Sequence, residues 1–135
     1  MLRAVQRRGA NAASDVIRMT IPAVLSYVRL PRVAIAGLAT RSGFSYDEVE
    51  DLRLAVGEVC QVLLDGADRN GTLTIEFTVE RARIRVAVTS DGPAGRHDGV
   101  GERLAGQILQ ATVGSVEVSE EGRRITFDKQ ASDID

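Results

Sequence analysis

Residues 44–60, FSYDEVEDLRLAVGEVC, decide how this chain is read. Ser45 stands where a helix begins and Glu48 follows three residues later, the spacing of a reciprocal capping box. Asp47, Glu48, Glu50 and Asp51 crowd the first turns, where the helix dipole favours anions. Val49, Leu52, Val56, Val59 with Cys60, and Leu63 recur at helical spacing, which predicts an amphipathic helix from Ser45 that fades at Gly66.

Upstream, Ile17, Met19 and Ile21 alternate with Arg18 and Thr20, so a strand is expected over 15–21. Pro22 ends it, and a helical pattern runs from Ala23 to Thr40, kinked or restarted at Pro31. Beyond Pro31 the apolar positions are Val33, Ile35 or Ala36, and Leu38; Ser42 to Phe44 form a loop. Downstream, Asn70-Gly71 marks a turn. Leu73, Ile75, Phe77 and Val79 then alternate with polar residues, as do Ile84, Val86 and Val88, and Glu80, Arg81 and Ala82 join the two strands as a hairpin. The Gly-rich stretch 90–101 is a loop, 102–112 a short helix, and 115–120 with 123–128 a second hairpin over Glu121-Gly122. The order β-α-α-β-β-α-β-β predicts an α+β two-layer sandwich, a mainly antiparallel sheet with helices on one face.

The chain has 135 residues, 44% apolar and 27% charged, which suits one globular domain over 15–128. Residues 1–14 are expected to form a flexible basic arm carrying Arg3, Arg7 and Arg8, and 129–135 an acidic tail. A net charge of −2 gives no nucleic-acid footprint. No apolar run reaches the roughly 18 residues a membrane span needs. One Cys, Cys60, permits neither an internal disulfide nor a cysteine-rich zinc site, and the N-terminal stretch lacks the apolar core of a signal peptide. A cytoplasmic protein is expected. Cys60 is expected to be a small core residue, His97 a surface histidine, and Arg81, Arg83 and Arg85 a row on one solvated strand face.

The run 44–60 resembles the anti-sigma factor serine kinases of the RsbW and SpoIIAB type, within the GHKL ATPase superfamily and its Bergerat fold. RVAIAGLATRSG (32–43) is similar to that family's first helix, and DLRLAV-x-EVC (51–60) is most like its divergent UsfX branch. Element order extends the likeness over 15–128. The resemblance implies three nucleotide boxes. The first would place a general base at Glu58, but Val62 stands where an Asn would hold Mg²⁺, and Gly66 one turn further on. Valine offers no oxygen, Mg²⁺ requires oxygen ligands, and Gln61 points about 100° away around the helix. The second box falls on Ser90, Gly92 and Ala94, with Ser90 in place of the adenine-binding Asp; Asp91 would face the other side of the sheet. The third counts to Arg103 and Ala105, with Gly99 and Gly101 just upstream.

Three functions follow. The leading one is an anti-sigma regulator with degenerate ATP boxes, a pseudokinase binding an alternative sigma factor, a STAS anti-anti-sigma protein, or both, through Arg29, Arg32 and Arg96. The vestigial site would then comprise Glu58, Val62, Ser90, Gly92, Gly99 and Gly101, with neither cofactor nor metal. The second is an active serine kinase using ATP and Mg²⁺, with Glu58 as base and the STAS protein as substrate. The third is a non-catalytic sensor of another small ligand. The family likeness also implies a homodimer.

Overall fold

The computed structural model describes residues 6–7, 14–65, 67, 70–91, 113–119 and 123–132. The chain order is β1 (Gln6–Arg7), β2 (Asp15–Pro22), a 3₁₀ turn (Leu25–Tyr27), α1 (Arg29–Arg41), α2 (Tyr46–Asp65), β3 (Thr72–Glu80), β4 (Arg83–Asp91), β5 (Ser115–Val118) and β6 (Arg124–Gln130). The strands lie in the order β1-β2-β3-β4-β6-β5, every neighbouring pair antiparallel. This is the α+β sandwich expected, and its arrangement is GHKL-like. The helix and glycines expected over 92–112 lie outside the described residues. Within the stretch read as a free arm, Gln6 and Arg7 pair with Val16 and Asp15.

Alternation decides which side chains meet the helices. Ile17, Phe77, Val86, Phe127 and Val116 share one rung and face inward; Met19, Ile75, Val88, Ile125 and Val118 share the next. Against them α2 buries Val49, Leu52, Ala55, Val56, Val59, Cys60, Val62 and Leu63. The capping box closes as its spacing predicts: the Ser45 N–H donates to Glu48 Oε1 at 2.9 Å, and the Glu48 N–H donates to Ser45 Oγ at 3.2 Å.

The first helix differs from its sequence pattern. Residues 25–27 make a 3₁₀ turn and α1 begins only at Arg29. Pro31 therefore sits in the first turn of α1, where backbone N–H groups have no intrahelical acceptor, and its missing donor costs nothing. Starting there turns Pro31, Ile35 and Ala39 inward. Val33, expected on the apolar side, is 65% exposed. The Arg81–Arg83–Arg85 row is also broken, because Arg81 lies in the hairpin turn.

Candidate functional site

Chain direction carries the site residues towards one end of the sandwich. β2 finishes at Pro22 and leads by a short link to the start of α1. β3 starts shortly after α2 finishes, and Thr72 pairs with both Pro22 and Asp91. The start of α1, the last turns of α2 and the end of β4 therefore lie towards that end, and Arg29, Arg32, Glu58, Val62 and Ser90 are carried on those segments.

Arg29 and Arg32 are exposed. The Arg32 side chain runs across α2 beside Gly57: a methyl group built there would lie 3.4 Å from its Cδ and 3.7 Å from its Nε. Glu58, the next residue, is half-buried. Val62, one turn beyond Glu58, is 4% exposed and belongs to the hydrophobic core. The position that the family likeness gives to a metal-holding Asn is thus a buried hydrocarbon. The residues present do not fit Mg²⁺ there, and among the described residues no cluster of His, Cys, Asp and Glu could hold a metal.

Ser90 pairs with Leu73 on the helix-facing side of β4 and is 5% exposed. Its N–H donates to the Arg123 carbonyl at 2.8 Å, while its hydroxyl has no hydrogen-bond partner among the described residues. Asp91 faces the other side and accepts a 2.9 Å hydrogen bond from Thr74 Oγ1. Gly66, Gly92, Ala94, Arg96, His97, Gly99, Gly101, Arg103 and Ala105 lie outside the described residues. Cys60 is fully buried, and burial pushes its thiol up to about 12, so at neutral pH it is no thiolate nucleophile.

The most perturbed carboxylate is at the opposite end. Glu48 is lowered to about 2. The Ser45 N–H is the main cause; burial opposes it, and the hydroxyl and N–H of Ser132 add to it. Those Ser132 groups donate to Glu48 Oε2 at 2.7 and 2.8 Å. The capping half of this arrangement is legible in sequence, whereas the Ser132 half joins residues 84 positions apart and leaves no local signal. It is a structural clasp, remote from Glu58.

The fold defines a GHKL-like α+β domain, with a buried hydrocarbon, Val62, one turn beyond Glu58. No family model matches the chain. It is similar to the curated protein named Serine-protein kinase RsbW of Bacillus subtilis (strain 168), 40% identical over 82 residues that make up 58% of this chain and 51% of that protein. The protein of the same name from Halalkalibacterium halodurans is 35% identical over 91 residues, 67% of this chain and 56% of its own. That from Bacillus velezensis is 37% identical over 85 residues, 61% and 53%. The chain spans about half the length of the curated relatives it matches. The resemblance that residues 44–60 carry to the RsbW type of anti-sigma factor serine kinase is borne out; these names do not bear on the UsfX-like branch. No helix among the described residues is long and apolar enough to cross a membrane.

Proposed function

We propose that this chain is a cytoplasmic partner-switching regulator of the anti-sigma type. It binds an alternative sigma factor and, in competition, a STAS anti-anti-sigma protein, and it transfers no phosphoryl group. The observation that carries the binding half is the start of α1. Leu30 and Val33 are 43% and 65% exposed there, an apolar pair flanked by Arg29 and Arg32, which make no ion pair among the described residues. Exposed apolar side chains rimmed by charge mark protein-binding surfaces. The RsbW relatives support the choice of partners. Mutually exclusive occupation of one face would let the concentrations and affinities of the two partners set which complex forms. A homodimer is part of this reading.

The hydrocarbon at Val62 supports the loss of phosphoryl transfer. One observation favours the active kinase instead: Glu58 is only half-buried and so stays accessible. Calorimetric titration with Mg-ATP separates the two. No saturable binding at millimolar nucleotide, with a stoichiometric complex on either protein partner, is the expected outcome. Micromolar binding with phosphorylation of the STAS partner, abolished by Glu58→Ala, would establish the kinase. Ligand-dependent stabilisation without turnover would instead point to the sensor, with the Ser90 hydroxyl, unbonded among the described residues, as the first contact to test.

A further inference from the structure

Gly57 stands well inside α2, half-buried and far from either end of the helix. Apart from proline, glycine is the least favourable residue for such a position. Nothing in the backbone asks for it: Gly57 is helical, and the described glycine with a positive φ is Gly43. Packing of the helix does not ask for it either. Outside its own helix, a methyl group at Gly57 would meet Arg32 Cδ at 3.4 Å and Nε at 3.7 Å, and no other residue within 4 Å. Those are ordinary contact distances. At Gly37 of α1, by contrast, nothing lies within 4 Å of such a methyl group.

The space that a side chain at 57 would fill is thus the space in which the Arg32 stem lies. Arg32 reaches it from the first turns of α1. Long cationic side chains rest their stems on a neighbouring surface and keep the charged head in water. The head is unspent here: among the described residues the Arg32 side chain makes neither an ion pair nor a hydrogen bond. Its stem is seated while its donors remain open. A stem already ordered has less freedom to lose when the head engages a partner, which lowers the cost of binding.

We propose that Gly57 is a positioning residue for the partner face: the side chain it lacks leaves a notch in α2 that seats the Arg32 stem and holds its guanidinium ready for a partner protein. This rests on the reading that the start of α1 is that face. It brings α2 into a surface otherwise built on α1, through a residue with no side chain of its own to offer. Alanine is compatible with the notch, because its methyl group leaves the stem at contact distance. A longer side chain competes for the same space and lifts the stem away.

The test compares Gly57→Ala and Gly57→Gln in the full chain. Both introduce a better helix former, so both should melt no lower than the parent. Without any partner, the heteronuclear NOE of the Arg32 Nε–H should report a restrained side chain in the parent and in Gly57→Ala. In Gly57→Gln it should fall to the value of Arg41, exposed in the last turn of α1. Equal mobility of Arg32 in the parent and in Gly57→Gln would overturn the seat. Affinity is then read by calorimetry with the purified sigma factor and STAS protein. It should be kept in Gly57→Ala and fall about three- to tenfold in Gly57→Gln, the loss for one side chain ordered only on binding. In an Arg32→Gln background the Gly57→Gln change should cost nothing further. The same loss there would mean that bulk at position 57 blocks the partner, and would overturn the positioning role, as would unchanged affinity in Gly57→Gln alone. If the parent binds neither protein, the partner face falls and the positioning role with it, while the NOE still decides the seat.

Discussion

At Glu48 one carboxylate ties together the loop before α2, the first turn of that helix and the chain just past β6. Its folded value near 2 against 4.5 in the open chain fixes the sign of a pH effect. A depressed acid stabilises the fold above pH 4.5, and that contribution is lost as the pH falls from 4.5 towards 2. The shift corresponds to at most about 3 kcal/mol. Urea denaturation across that window should show the decline in the native chain, and Glu48→Gln should flatten it; an unchanged slope would contradict the clasp. Val62 makes the second prediction at this scale. Val62→Asn restores the residue that the family likeness places there, yet it puts an amide into a position 4% exposed. An unsatisfied buried polar group costs about 1–3 kcal/mol, so the variant should melt lower and should not bind Mg-ATP. A variant as stable as the parent would show that an acceptor or an ion reaches that position.

Among the elements, the β3–β4 hairpin carries the clearest local strain. Its turn is Arg81–Ala82, and Ala82 adopts φ 60°, the left-handed region that costs a residue with a Cβ about 1–2 kcal/mol. Ala82→Gly removes that cost and adds back some freedom to the unfolded chain. The expected outcome is a gain of up to about 1 kcal/mol in chemical denaturation, with the Glu80–Arg83 pairing intact. A loss of stability would mean that the Ala82 methyl makes contacts that outweigh the strain. For α2, the register was legible because capping spacing and the apolar period agree with each other. For α1 they did not. No capping residue marks its start, the preceding 3₁₀ turn interrupts the phase, and the apolar period alone turned Val33 to the wrong side.

For the whole molecule, the two faces divide the work. The helix layer closes the core and leaves the start of α1 open, while the other face of the sheet is a polar plane of ion pairs. If the start of α1 is the partner face, the paired change Leu30→Asp with Val33→Asp should abolish capture of both the sigma factor and the STAS protein. It should leave the melting temperature within a few degrees, since those side chains are exposed and surface changes usually stay within about 0.5 kcal/mol each. Loss of one complex but not the other would show that the partners use different faces and would remove the competition from the mechanism. The placement of Arg32, Glu58 and Ser90 towards one end was implied by element order, but the arrangement itself depends on how β2, β3 and β4 align.

What the sequence determined by itself was local. The helix 46–65 with its capping box, the central strands 72–80 and 83–91, and the inward and outward alternation of the sheet all rest on forces between residues a few positions apart: side-chain periodicity, capping and turn chemistry. The kinship was also written there, in the order of side chains from Phe44 to Cys60. The tertiary structure decided what depends on segments meeting. It joined Ser132 to Glu48, gave Asp128 to Arg83 and not to Arg85, turned Ile35 inward and Val33 outward, and closed the core over Val62. Each of those outcomes is settled by the spacing and register of elements distant in the chain, and a hydrogen bond or an ion pair forms only where both of its partners arrive within about 3 Å.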